Sequence, residues 1–447
     1  MLYRKYLILG LLFLGGRKVG RHLKDIQRLE RASAETLKAH TEKKLKKILL
    51  HAADTVPYYK TVLRECGVVT DKSVRLENFS KIPLLTKDII RREGENLYSR
   101  DIKKRKAYAN TSGGSTGEPV RFLQDSGYDD WNNATKIYFN AVLGKDLGQR
   151  EIKFWGSDRD ILEGTLTLKD RLINVLYNRR FFNSYRLNDE ILADLVKLNN
   201  QFKPKAYWSY MEAALELADY LSRHKVPFDA PDIVISTIGP LTAAIKEKIE
   251  GGMGCRVYNQ YGSREVGVIA CQCRQQKGLH LFPWWNYVEV VGSDGRSVES
   301  GQGNVVVSTL QNYSMPLIRY DIGDVAVMGS QDCPCGRKTS VLDSVIGRTL
   351  GYFKKVDGTR VHSHFIVQSL FFREWIRRFQ VIQEAFDKVV ILIEPKQNAK
   401  ISEHEQQDIR SQTRVLMGSD CRVNICIVDK IERSSSGKFV YTICKVD

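Results

Sequence analysis

The sequence predicts an α/β protein: a large multi-layer N-terminal domain built on a parallel sheet, a β-rich subdomain joined to it, and a small α+β C-terminal lid domain. Three observations lead there. Residues 188–202 and 210–224 read as helices and alternate with short β-branched runs at 232–239 and 255–262. Strand–helix alternation at this spacing marks parallel strands layered with helices. From Leu279 the texture turns to paired strands, "YVEVVGSDGRSV", "GNVVVSTL" and "DVAVMG". Beyond "SVIGRTLGYF", a last stretch of about 100 residues holds "KVVILIEP", the polar helix "SEHEQQDIRSQTRVLM" and "CRVNICIVD". The expected division is a core over 1–346, with a basic helical segment at 1–60 and a β-rich part at about 271–346, then a mobile lid over 347–447.

Taken from the start, "MLYRKYLILGLLFLGGRKVGRHL" has a charged beginning and an apolar run over 6–14. That run is shorter than the roughly 20 residues a spanning helix needs. A basic stretch without a small-residue cleavage site follows it, so a helix that grazes a membrane or packs on the protein is expected rather than a cleaved signal. Residues 1–60 hold 14 Lys and Arg against 5 Asp and Glu, giving +9 of the chain's net +17. Such a face suits a membrane surface or an anionic substrate, or is simply solvated; no nucleic-acid-binding module accompanies it, and no nucleic-acid partner is expected. The 447 residues are 43% hydrophobic and 27% charged, enough for a large core and against wholesale disorder.

Residues 34–56 are helical in pattern: Leu45, Ile48, Leu49 and Ala52 fall on one face with lysines opposite. Thr86 is placed to cap a charged helix. Then comes "NTSGGSTGEPV", followed by "RFLQDSGYDDWNNATKIYFNAVL", which reads as strand and helix. A loop so poor in apolar side chains costs backbone entropy to order, so it stays mobile or wraps something. Consecutive glycines expose N–H groups that form a nest for anionic oxygens, and Ser112, Ser115 and Thr116 add hydroxyl donors. No Gly-Lys-Ser/Thr ends the loop, so it is not a Walker loop.

The nine cysteines are odd in number, and four lie in two C-x-C pairs, which suits a reducing cytoplasm better than disulfides. Cys273, His280, Cys333 and Cys335 supply the four soft or borderline ligands of a closed, structural zinc site. The seven-residue step to His280 favours Cys273 over Cys271. The other reading is reduced, buried cysteines with an incidental histidine.

With these residues in view, the sequence resembles the adenylate-forming superfamily, and within it the phenylacetate–CoA ligase and CapK-like branch. Ser112-Gly113-Gly114-Ser115-Thr116-Gly117-Glu118-Pro119 resembles the superfamily's phosphate loop, and "NQYGSREVG" its Tyr-Gly-x-x-Glu element at Tyr261, Gly262 and Glu265. "RYDIGD" resembles its Gly-Asp element ending in Asp324, "IGR" its hinge at Gly347 and Arg348, and "ERSSSGKF" its terminal loop at Gly437 and Lys438. The five follow in the family's order along nearly the whole chain. The Cys…His…Cys-x-Cys arrangement is similar to one in phenylacetate–CoA ligase-like proteins.

The resemblance implies an AMP-forming ligase that uses ATP and magnesium on a small carboxylic acid, with CoA or an amine such as an amino sugar as acceptor, in polysaccharide or envelope biosynthesis. It also implies roles. The loop holds the β- and γ-phosphates, Tyr261 stacks on adenine, Glu265 holds magnesium, Asp324 takes the ribose hydroxyls with Arg348 nearby, and Lys438 meets the reacting carboxylate and α-phosphate. Four departures stand out: Leu350 and Gly351 follow the hinge where the family has an acidic residue, Asp321 replaces an Arg, Asn304 replaces a Glu, and "STIGPLT" matches the adenine loop loosely. In "FWGSDRD", Trp155 either lines a polar carboxylate pocket or packs a strand end. Two further readings are an adenylyltransferase acting on a hydroxyl-bearing coenzyme, and a non-catalytic scaffold. The expected location is cytoplasmic, with peripheral membrane contact through the basic N-terminus.

Overall fold

The computed structural model describes residues 2–71, 73–112, 120–155, 168–184, 187–239, 241–292, 294–329, 333–348, 352–355, 360–362, 364–371, 373–397, 399, 402–432 and 440–446. The N-terminal helices are α1 (Leu2–Leu14), α2 (Val19–Leu29), α3 (Ala34–Thr55), α4 (Pro57–Glu65) and α5 (Lys87–Glu93). α3 starts where Ser33 accepts from Thr36 N, and α5 where Thr86 accepts from Ile89 N. α3 stops at Thr55 because Pro57 holds the residue before it in an extended conformation and opens α4 as its first residue. Its Leu45, Ile48, Leu49 and Ala52 are all buried, on the face their spacing predicts.

Eleven strands form one mixed sheet. After the small pairs β1 (Val69–Thr70) with β2 (Ser73–Val74), and β3 (Tyr108–Thr111) with β4 (Arg121–Gln124), come β5 (Glu151–Phe154), β6 (Arg179–Phe182), β7 (Ala206–Tyr210), β8 (Ile233–Thr237) and β9 (Arg256–Ser263). In space they run β6-β5-β7-β8-β9, all parallel. Between them lie α6 (Ser126–Val142), α7 (Leu168–Leu176), α8 (Asp189–Phe202), α9 (Met211–His224) and α10 (Ala243–Met253). One sheet face packs on α2 and α6 through Trp131, Tyr138, Trp208 and Ile235; the other packs on α8, α9 and α10 through Tyr207, Leu217 and Ile249. This is the layered arrangement that the alternation predicts.

The β-rich part does not hang from that sheet; it continues it. β9 pairs in parallel with β8 and antiparallel with β10 (Gly267–Gln272). Beyond β10 the order is β11 (Leu279–Leu281), β15 (Val341–Arg348), β14 (Tyr320–Met328), β13 (Gly301–Thr309) and β12 (Asn286–Val291), every pair antiparallel.

The C-terminal part forms its own layer pair. β16 (Tyr352–Lys354) pairs with β17 (Arg360–His362). α11 (His364–Phe371) and α12 (Glu403–Met417) cover a four-stranded sheet of β18 (Ile376–Ala385), β19 (Lys388–Pro395), β20 (Arg422–Ile427) and β21 (Thr442–Cys444), in the order β20-β19-β18-β21. It docks on α9, where Glu216 meets Arg377 at 3.3 Å and Arg378 at 2.8 Å.

Candidate nucleotide-binding site and metal centre

The hydroxyl–glycine loop springs from the β3–β4 hairpin. Its neck is closed by a reciprocal pair: Ser112 N donates to Val120 O at 2.9 Å, and Val120 N donates to Ser112 Oγ at 2.8 Å. Ser112 is therefore buried at the base of the loop, where its oxygen orders the neck. Gly113, Gly114, Ser115, Thr116 and Gly117 lie outside the described residues, as do Gly437 and Lys438.

Glu265 sits in the turn between β9 and β10, and it is buried. Two glycines shape that turn. A Cβ on Gly262 would come within 2.4 Å of Gly267 O and 3.0 Å of Val268 Cα, so only glycine lets the strands approach this closely. Gly267 has φ +69°. Tyr320 OH reaches Glu265 Oε1 at 3.4 Å from the start of β14 in the same sheet. Gln124, at the far end of β4, donates through Nε2 to Arg264 O at 2.8 Å and Glu265 O at 3.4 Å. Three strand steps, about 10 Å, separate it from Arg121 beside the loop neck. The hairpin that bears the loop and the turn that bears Glu265 are thus bonded into one wall.

Tyr261 OH donates to Asp324 Oδ2 at 2.7 Å, so the two join across β9 and β14. Both are half-buried. Arg348 lies on β15 opposite Asp324 in register. The site gathers a buried carboxylate, a second carboxylate hydrogen-bonded to a tyrosine, and the foot of a glycine-rich loop. Buried carboxylate oxygen is the donor that a hard cation such as magnesium prefers.

Gln124 and Tyr320 escape the sequence reading. Tyr320 stands inside the quoted "RYDIGD", but nothing local marks Gln124, whose role comes from where β4 crosses the turn. Trp155 packs at the end of β5, its ring 4.3 Å from that of Tyr210; the residues after it, 156–160, are outside the described set.

The four expected metal ligands also come together. Cys273 follows β10, His280 is on β11, and Cys333 and Cys335 precede β15; their ligand atoms all lie within 4.8 Å of one another. Cys273 Sγ and Cys333 Sγ are 3.6 Å apart, and Cys335 Sγ is 3.3 Å from His280 Nε2. Zinc–ligand bonds of about 2.0–2.3 Å make tetrahedron edges of roughly 3.3–3.8 Å, so the set fits that ion. His280 Nδ1 is 2.9 Å from Thr339 Oγ1, an outer contact that turns Nε2 toward the thiols. Burial, with Arg337 nearby, pulls the His280 pKa down to about 4, so the ring is neutral and able to ligate. Cys271 is buried in the core against α6 and stands apart from this group.

A family model for the CapK C-terminal domain matches residues 353–445. A phenylacetate–coenzyme A ligase of Thermus thermophilus is 25% identical over 334 residues, 72% of each chain. The protein CapK of Staphylococcus aureus is 21% identical over 394 residues, covering 86% of this chain and 84% of its own. The chain is a homologue of the phenylacetate–CoA ligases and of CapK. Its fold agrees with that kinship. A 2-hydroxyisobutyryl-CoA ligase, solved in the postadenylation state with an acyl-AMP, superposes with a TM-score of 0.73 at 18% identity, over 94% of this chain and 91% of that one. The CapK match falls on the domain that docks on α9, and the site residues above lie in the CoA-ligase-like core.

Proposed function

We propose that the protein is an AMP-forming ligase that activates a small carboxylic acid with Mg·ATP and passes the acyl group to CoA or to an amine. One observation supports this reading most: Gln124 ties the loop-bearing hairpin to the Glu265 turn, so a triphosphate held by the loop would lie along the same wall as Glu265, with Tyr261 and Asp324 on the neighbouring strands. Loop N–H groups and hydroxyls hold the β- and γ-phosphates. Glu265 would offer its carboxylate to magnesium, Asp324 would receive the ribose hydroxyls, and Tyr261 and Arg348 would serve the base and its surroundings. The acid's carboxylate oxygen bonds to the α-phosphorus as the bond to pyrophosphate breaks. The Lys438 ammonium, brought by the C-terminal domain, offsets the charge that builds there.

Cys273, His280, Cys333 and Cys335 would hold a structural zinc, since four protein ligands leave no open position. The CapK relationship supports an amino-sugar acceptor in polysaccharide or envelope biosynthesis. The protein would work in the cytoplasm, with its basic N-terminal helices at a membrane periphery.

A screen of carboxylates for ATP–pyrophosphate exchange tests the reading. One acid supports exchange, and Lys438→Ala lowers it by about 100-fold or more. Exchange that survives this substitution would overturn the lysine's role. AMP found on a hydroxyl-bearing acceptor instead of released would mean nucleotidyl transfer, and no nucleotide binding at all would mean a scaffold.

A further inference from the structure

α1 is apolar on two sides. Ile8 is fully buried, and Leu9 and Leu12 pack beside it against the α2–α6 core. On the outward side Tyr3, Leu7, Leu11 and Leu14 recur at helical spacing, 65%, 49%, 47% and 82% exposed, with Tyr6 and Phe13 next to them at 67% and 76%. A surface helix in water normally turns polar residues outward. A second element widens the patch. α7 exposes Leu172 and Val175, at 70% and 58%, and Arg4 Nη1 donates to the carbonyls of Val175 at 2.8 Å and Leu176 at 3.3 Å, which fixes α7 beside α1. Single exposed leucines are ordinary; eight large apolar side chains on two touching helices are not. Cations flank them. Arg171 is exposed next to Leu172, and Lys18, just before α2, lies exposed together with Arg21, Lys24 and Arg28 along α2, where Arg28 is 3.6 Å from Asp25.

We propose that α1 and α7 together form an in-plane anchor for an anionic lipid surface. The apolar side chains enter the boundary between headgroups and acyl chains, and the lysines and arginines meet lipid phosphates. α1 has 13 residues, and its length of about 20 Å falls short of the hydrocarbon thickness. Among the described residues no helix is long and apolar enough to cross a membrane. Charge selects the occupant: a second copy on this face would set like charges against each other, whereas an anionic bilayer neutralises them. The inference extends the membrane-peripheral placement proposed above and does not depend on the ligase chemistry.

Co-sedimentation of the full chain with vesicles tests it, using equal parts phosphatidylglycerol and phosphatidylcholine against phosphatidylcholine alone. The protein should pellet with the anionic vesicles and stay largely free of the neutral ones. Leu11→Asp with Phe13→Asp, and separately Leu172→Asp with Val175→Asp, should each weaken binding by about tenfold or more while leaving melting temperature and nucleotide exchange unchanged. Three results would overturn the proposal: no binding by the unsubstituted chain, binding untouched by the α7 pair, or light scattering that shows a dimer dissociated by the α1 pair. Exchange measured on the same samples separates a failed anchor from a failed ligase.

Discussion

Glu265, Tyr261 and Asp324 entered as candidates through short motifs. Each was expected there because its motif resembles one of the superfamily's, and the structure brings Tyr261 to Asp324 and sets Glu265 in a tight turn. What the motif could not disclose is the support. Gln124 lies 140 residues from Arg264 in the chain, and its side chain matters only because β4 happens to pass there. His22 has the same character. Its ring stacks on Trp131 at 4.1 Å, and burial, against opposing pulls from Asp130 and Asp25, lowers its pKa from 6.5 to about 4. The unfolded chain therefore binds a proton between 6.5 and 4 that the folded chain refuses. The neutral ring's contribution is complete above 6.5 and is lost as pH falls toward 4. His22→Phe keeps the stack and removes the titration, so denaturant unfolding across this pH window should show a flatter profile than the parent. An unchanged profile would mean that other groups carry the acid sensitivity.

At the scale of elements, helix starts and strand runs were legible because caps and periodicity are local. Asp125 is an instance: Oδ1 accepts from Tyr128 N at 2.9 Å and begins α6, as the strand-then-helix reading implies. Its Oδ2 meanwhile accepts from Ser314 N and Oγ at 3.2 and 3.0 Å, a tertiary duty that no local pattern announces. The metal ligands span three elements, β10, β11 and the approach to β15. An ion there would clamp the end of the β10–β11 hairpin to the start of β15. Purified protein should carry one zinc per chain, and Cys333→Ser should lose it and melt lower by roughly 5 °C or more. Chelation should reproduce that drop in the parent and leave the variant unmoved. Protein without zinc, equally stable after the substitution, would return these cysteines to ordinary core packing.

For the whole molecule, the question is how the C-terminal domain meets the core. Arg377 and Arg378 on β18 reach Glu216 on α9, and Tyr441 packs between the cores of the two parts. Arg378 is mostly buried, and after that burial Glu216 is the largest influence on it. If this domain is a lid that turns between two half-reactions, the Glu216 contact belongs to only one of its positions. Glu216→Ala should then slow pyrophosphate exchange by about tenfold while sparing acyl transfer from a preformed acyl-adenylate. Equal losses in both steps would count against a turning lid, and no change in either would mean that the ion pair serves neither step.

The sequence by itself determined the fold class, the order of the elements and the kinds of chemistry on offer, because hydrophobic period, capping residues, glycine clusters and ligand spacing act within a few residues of one another. Only the tertiary structure decided that the parallel and antiparallel strands share one sheet, that Gln124 and Tyr320 serve the Glu265 turn, and that α1 buries one apolar side while leaving the other in the open. Each of those turns on contacts between segments far apart in the chain. Such contacts are set by packing of the whole core, which no single stretch of residues encodes.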